Sequence, residues 1–582
     1  MRILISLLFL LIPLLTLGQQ VSPSDTSILY TGRIDFGTVD EAIYSLNGVS
    51  TKIHFEGKSV IGQFSATQNS YLYVIVDGND NPEDRKVIEI RGSTKQTIEL
   101  ASFDHVGEHT LEIIKLDESG SKLTFYGFDI EEGGLISKPE RPTLQLEFIG
   151  DSNTAGWNAW NAYDNGGSEV SGAYHTFPGM VSRMLRAEYS LIGASGSGIT
   201  DKASWNCRRV WDRLHLTEAT GPDNIWDFEN NYWGFNPSAV IVNLGANDYY
   251  GGASKEEIKN GWKSFILDQL RQKYPDAHIV LANSYGWAIN EPADYVNEAI
   301  EELKISGETN VSFIRFPWLW GQQHAVVNEH AGFANLLAQH LSEVLDLEDP
   351  TPLPLSSFSE AGSIKNGSFE TSTLTSIPDG WRPQGRIELI INPGEAFEGD
   401  RYLACTNGGL ASFSSSPIIG GQLVVSGHIK ALRDSHSGYI KLLFKNQGQA
   451  TISSKQIEPD FTENWSEFSL SATVPQGTWS VWLVLESEEG STVHFDDIQM
   501  SSGEVLSIDQ PEKDSLKLFP NPAQNQLFIQ SKVNKQVYIY NINGEEAMRA
   551  KTNSPIDISH LSPGLYLITD PKSNITKRFI KN

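Results

Sequence analysis

The sequence predicts a multidomain chain in which a parallel α/β unit is flanked on both sides by β-sandwiches. Three observations carry that reading. Its 582 residues exceed a usual single domain. Residues 25–138 alternate apolar and polar positions in short runs separated by turn residues, with no helical period between them. From 144 onward, apolar runs alternate with helical patterns instead. With 39% hydrophobic residues, 26 Phe, 19 Tyr and 14 Trp, the chain can fill several cores.

Residues 1–18 read as a secretory signal. Arg2 opens it, Ile3 to Leu15 is apolar though interrupted by Pro13, and Thr16-Leu17-Gly18 offers a cleavage site. The stretch is shorter than the roughly 20 residues of a membrane span, so the mature chain is expected to have no transmembrane segment. Strand candidates at 52–66, 71–78, 86–90, 96–100, 109–117 and 123–130 make 25–138 an N-terminal β-sandwich. Within 143–346, the apolar runs 144–150, 187–193, 238–245, 277–283 and 311–316 alternate with helical patterns such as 254–274 and 292–305. That order means a parallel sheet covered on both faces. LEDPTPLPLSSFSE (347–360) is a linker, 361–502 is again β-rich, and 503–515 is a second linker. The tail, 516–582, has the size of a small seven-strand sandwich. Cys207 and Cys405 are too few for a disulfide framework or a zinc site and are expected as free thiols. A net charge of −28 argues against a nucleic-acid partner, which needs clustered Lys and Arg.

In parallel α/β sheets, ligands bind beyond the carboxyl ends of the strands. Four groups fall there. Ser152 lies in EFIGDSNTAGW (147–157), directly after the first strand; a turn or helix N-cap is the alternative reading of Asp151-Ser152. Gly198, with Gly196 as its neighbour, lies in ASGSGIT (194–200) after the second strand, where glycine lets backbone approach a ligand. Asn247 belongs to VIVNLGAND (240–248) after the third. His324 opens HAVVNEH (324–330) before a helical stretch, with His330 six residues on. Acyl transfer from an ester needs an activated hydroxyl, a base and oxyanion donors. Ser152 supplies the nucleophile and His324 the general base and acid. The N–H groups of Ser152 and Gly198 and the Asn247 amide supply the donors. Asp151, Trp157, Trp205 and Trp320 form the candidate substrate-binding set. Trp160 and Trp318 are also near in sequence, and ordinary packing is the alternative for such aromatics. No cofactor or metal is expected.

The order GDSN (150–153), SGSG (195–198), GAND (245–248) and terminal His makes 147–345 resemble the SGNH (GDSL-like) hydrolases. With YTGRID (30–35), GEHTLEIIKLDE (107–118) and WDFENNYWGFNPSAVIVNLGAND (226–248), the span 25–345 resembles carbohydrate esterase family 2. The resemblance implies a jelly-roll sandwich joined to a flavodoxin-like parallel sheet, without cofactor. It also implies removal of O-acetyl groups from polysaccharide of the acetylxylan or glucomannan type. Two departures matter. The final block, usually His-Pro-Ser-x-x-x-His, keeps both histidines and loses Pro and Ser, which leaves His330 a supporting role. The acid that precedes the histidine in many such enzymes is replaced by Gln322 and Gly321. A Ser-His dyad helped by a backbone carbonyl is therefore implied.

Residues 361–502 resemble galactose-binding-like carbohydrate-binding modules at NGSFE (366–370), DGW (379–381), ENWSEFSLSATVP (463–475) and FDDIQM (495–500). There Trp381, Trp465, Trp479 and Trp482 are platforms or core, and a spacer without ligand is the alternative. The tail resembles the type A sorting domain of type IX secretion at LFPNPAQNQLFI (518–529), IYNINGE (539–545), IDISHLSPGLYLI (556–568) and KRFIKN (577–582). It implies an immunoglobulin-like sandwich, secretion machinery as a partner, and a secreted or cell-surface protein. Competing functions are an SGNH hydrolase acting on a non-plant glycan or other ester, and a catalytically weakened surface carbohydrate-binding protein.

Overall fold

The computed structural model describes residues 18–81, 84–118, 120–161, 166–216, 224–283, 295–316, 324–354, 362–374, 377–415, 420–446, 450–503, 517–519, 521, 523–531, 534–541, 546–570 and 575–581. The expected signal, apart from Gly18, and nearly all of the second linker lie outside these residues.

The N-terminal part is an antiparallel network of ten strands among the described residues. Its core is aromatic: Phe125 packs on Tyr44, Phe64 and Phe128 at ring separations of 4.6–6.3 Å. The network begins at Gln19–Val21, which pairs with Phe128–Ile130, ahead of the expected start at 25. The separate strands expected at 96–100 and 109–117 are one 20-residue strand, Gln96–Lys115, paired with Ser50–Ala66. Their register slips at Gly57/Ser59 and Val60/Ile61. Such bulges let two long strands bend together, so Gly107 continues the ladder rather than turning the chain.

Among the described residues the central sheet has five strands, all parallel. Their spatial order is Ala187–Gly193, Leu144–Gly150, Ala239–Asn243, His278–Asn283 and Val311–Arg315. Alternate residues feed opposite faces. Leu146, Phe148, Ile241 and Val280 pack with helices Phe177–Met184 and Val327–Leu345. Ile149, Val240, Val242 and Ile279 pack with helices Lys255–Phe265 and Tyr295–Ile305. Burial on both faces explains why these strands read as continuous apolar runs. The first strand sits between the second and third, so the order of strand addition reverses there and a crevice opens at its carboxyl end.

The sandwich is pinned to this unit by a buried arginine. Arg33 pairs with Glu147 Oε1 at 2.9 Å and donates to the carbonyls of Trp211 and Arg213 at 2.6 and 3.0 Å. Asn47 Nδ2 donates to the Ala155 carbonyl at 2.8 Å. Eight antiparallel strands among the described residues between Arg382 and Gly503 follow, with a core that includes Trp381, Phe413, Phe444 and Phe495. Residues 505–582 form a separate unit whose described strands make sheets of three and four. No helix among the described residues is long and apolar enough to cross a membrane.

Candidate active site

Ser152 is the first residue of the short helix Ser152–Ala155. Asp151 caps it: the carboxylate accepts from Asn153 N at 3.0 Å. The helix stops at Gly156, whose φ of 84° is the left-handed region that favours glycine. Gly156 and Trp157 both donate to the Ser152 carbonyl at 2.9 Å, closing the turn on itself. The serine is thus held just past the end of the first strand.

His324 Nε2 stands 2.9 Å from Ser152 Oγ, a contact that spans 172 positions of sequence. Its neighbour Ala325 donates its N–H to Asn153 Oδ1 at 3.2 Å, so the histidine segment is tied to the residue after the serine. Val326 N–H donates to Glu329 Oε2 at 2.9 Å, at the start of helix Val327–Leu345. Arg382 donates to the His324 carbonyl at 3.0 Å and forms a buried ion pair with Glu329. His330 is buried against Phe177 and Phe333, and burial pushes its pKa down to about 3. It is a neutral packing group at physiological pH.

The loop after the second strand is fixed from two sides. Ser195 donates through N–H and Oγ to Glu118 Oε2 and Oε1, at 2.8 and 2.6 Å. Glu118 comes from the N-terminal sandwich. From the other side, Asn247 Nδ2 donates to the Ser197 carbonyl at 2.9 Å. The buried Asp248 accepts from Ile199 N–H, Thr200 N–H and Thr200 Oγ, at 2.8, 2.7 and 2.6 Å. Gly198 is therefore packed closely: a Cβ there would lie 2.4 Å from both Asp248 Oδ2 and Ala203 Cβ. Only a residue without a side chain fits.

The structure thus brings Ser152 and His324 within hydrogen-bond distance and links Gly198 and Asn247 through the Ser197–Thr200 loop. Asp151 is 1% exposed, with its carboxylate engaged in the helix cap. Burial raises its pKa to about 6, against the pull of the Asn153 N–H and of His324. Burial also raises the Glu118 pKa, while the Ser195 bonds and His324 pull it down. Both carboxylates are thus in electrostatic reach of the imidazole. Trp157 is half-buried. Trp205 is 38% exposed, on the two-residue strand Trp205–Asn206 that pairs with Ser197–Gly198. Trp160 packs under Arg85 and edge-on to His175. Trp318, Trp320, Gly321 and Gln322 lie outside the described residues. In the module after the first linker, Trp381 is core, its Nε1 donating to the Asn366 carbonyl at 3.0 Å.

Sequence reasoning gave no role to Glu118, Asn153, Asp248 or Arg382. Glu118 closes the block GEHTLEIIKLDE, and Asp248 closes GAND, so a signal existed for each. Arg382 carried none, because its role depends on one domain packing against another.

Residues 30–139 match the family model for the carbohydrate esterase 2 N-terminal region. Residues 148–343 match the GDSL-like lipase/acylhydrolase family, and 517–582 match the secretion system C-terminal sorting domain. A cellulase/esterase CelE of Acetivibrio thermocellus is 27% identical over 341 residues, covering 56% of this chain and 40% of its own length. An acetylxylan esterase / glucomannan deacetylase of Cellvibrio japonicus is 24% identical over 350 residues, covering 57% of this chain and 93% of its own. The solved structure of a family two carbohydrate esterase from Cellvibrio japonicus superposes with a TM-score of 0.51 at 22% identity. It covers 56% of this chain and 98% of that one and shares the fold.

Proposed function

Because the chain joins a carbohydrate esterase 2 N-terminal region to a GDSL-like acylhydrolase region, we propose that it is a secreted serine esterase removing O-acetyl groups from polysaccharide. The observation that carries the reading is the 2.9 Å contact between His324 Nε2 and Ser152 Oγ. In the first step Nε2 takes the hydroxyl proton as Oγ attacks the acetyl carbonyl. Negative charge develops on the carbonyl oxygen, where the N–H groups of Ser152 and Gly198 and the second amide hydrogen of Asn247 receive it. His324 returns the proton to the leaving sugar oxygen. Water, deprotonated by His324, then attacks the acetyl carbonyl; the bond to Oγ breaks, acetate leaves, and His324 returns the proton to Ser152 Oγ.

Imidazolium formed in these steps needs a compensating charge. Glu118 and Asp151 supply negative charge nearby, which supports a dyad even with Gln322 in the place where many relatives carry an acid. The exposed Trp205 beside the Gly198 loop is the aromatic best supported as a sugar platform. The acetylxylan esterase / glucomannan deacetylase relative supports a plant polysaccharide as substrate. The sorting-domain match supports export to the medium or cell surface through secretion machinery. The module at 361–502 is read as carbohydrate-binding and the tail as an immunoglobulin-like sandwich.

Acetate release from acetylated xylan and glucomannan, and hydrolysis of a chromogenic acetyl ester, test the proposal. Ser152→Ala and His324→Ala should each lower kcat by about 10³-fold or more while leaving the fold intact. Full activity in Ser152→Ala, or none in the wild type toward any acetyl ester, overturns the esterase reading. Inactivity with retained glycan binding would favour the weakened surface-binding alternative.

A further inference from the structure

The position of His324 is set in part by a residue from outside the α/β unit. Arg382 opens strand Arg382–Ile391 of the module after the first linker. The residue before it, Trp381, is anchored in that module's core, with ring centroids 5.2 Å from Phe369 and 5.6 Å from Phe413. The guanidinium therefore projects from a rigid base. Its side chain is 4% exposed and that of its partner Glu329 8%. Nε donates to Glu329 Oε1 at 3.0 Å, Nη2 pairs with Glu329 Oε2, and the same Nη2 donates to the His324 carbonyl at 3.0 Å. Glu329 Oε2 in turn accepts the Val326 N–H.

The three residues before the helix are thus held on both flanks. Asn153, next to Ser152, holds the Ala325 N–H, while Arg382 and Glu329 hold the His324 carbonyl and the Val326 N–H. Only a planar fork with several donors can bind a carboxylate side-on and still reach a carbonyl; a lysine ammonium offers a single point. A displacement of about 1 Å in a catalytic group can cost about 10²-fold in rate.

We propose that Arg382 is a positioning residue for the general base. The 361–502 module, through this buried guanidinium, fixes the main chain of His324 and is a working part of the enzyme as well as an appendage to it. The inference rests on the esterase reading of Ser152 and His324.

The test uses the full chain. Arg382→Met alone leaves Glu329 charged and buried, and a folding failure would obscure the result. The double variant Arg382→Met/Glu329→Gln removes both charges, and Arg382→Lys keeps the charge without the fork. On a chromogenic acetyl ester, the double variant should melt cooperatively yet lose about 10- to 100-fold in kcat, with KM changed by less than about twofold. Arg382→Lys should fall between it and the wild type. In a crystal structure of the double variant, His324 Nε2 should have moved out of hydrogen-bond reach of Ser152 Oγ. A folded double variant with kcat within about twofold of wild type overturns the proposal. So does a crystal structure with the Nε2–Oγ contact unchanged. A wild type inert toward acetyl esters overturns the esterase reading instead, and the crystal geometry of the double variant then decides the positioning role by itself.

Discussion

Asp151 serves the turn before it serves any chemistry. Its carboxylate caps the Ser152 helix, and burial raises its pKa from 3.8 to about 6. The folded state therefore binds this proton more tightly than the unfolded chain does. Its contribution to stability is largest below about pH 4, declines as pH rises from about 4 to about 6, and stays at the lower level above. Asp151→Asn keeps a capping oxygen and removes the charge. Thermal unfolding at pH 8 should show the variant stabilised by about 2–3 kcal/mol, with no gain at pH 4; an equal effect at both pH values would refute the account. Residues at this scale were legible where position along the chain implies a place in the fold. Ser152, Gly198, Asn247 and His324 follow apolar runs or precede a helix, so chain order predicts the neighbourhood in which Ser152 and His324 meet. Which way the Asp151 carboxylate turns depends on burial, which a local pattern does not encode.

Among the elements, the Ala194–Thr200 loop depends on its clamps. Glu118 takes two donors from Ser195, through both carboxylate oxygens. Glu118→Gln keeps one acceptor for the Ser195 N–H, turns the second bond round so that its NH2 donates to Ser195 Oγ, and removes the charge from both. It should cost about 1–3 kcal/mol in thermal stability and lower kcat/KM on an acetyl ester by about tenfold. Glu118→Ala should lose more, and wild-type values in both variants would show that the loop stands without the clamp. The five parallel strands were legible almost to the residue, because strands buried on both faces leave unbroken apolar runs. The helix expected over 254–274 is helical from Lys255 to Lys273, with a π-turn at Ile266–Leu270. Strand Gln96–Lys115 reads as two in the sequence because Gly107 looks like a turn, whereas the bulged partner strand lets the ladder run on.

On the scale of the molecule, side chains from the flanking sandwiches reach the α/β unit, among them the buried Arg33, Asn47 and Arg382 and the half-buried Glu118. The modules themselves were legible from changes of period and from linkers, but these ties were not, since each joins positions far apart in sequence. Arg33→Met would strand the Glu147 carboxylate, whose side chain is fully buried. It should destabilise the chain by about 3–5 kcal/mol in chemical unfolding, and Arg33→Met/Glu147→Gln should recover a large part of that. Equal stability of wild type and Arg33→Met would remove the ion pair as a tie between the modules. The two cysteines give such experiments their probe. Cys207 lies in the α/β unit and Cys405 in the module after the first linker, both buried and free. Burial drives the Cys207 pKa up to about 12 and that of Cys405 upward as well, so neither is a thiolate at neutral pH. Each sulfur stays silent to alkylating reagents until its own surroundings open. Mass spectrometry of alkylated peptides can therefore time the opening of the two modules separately in the native sequence, with no engineered label.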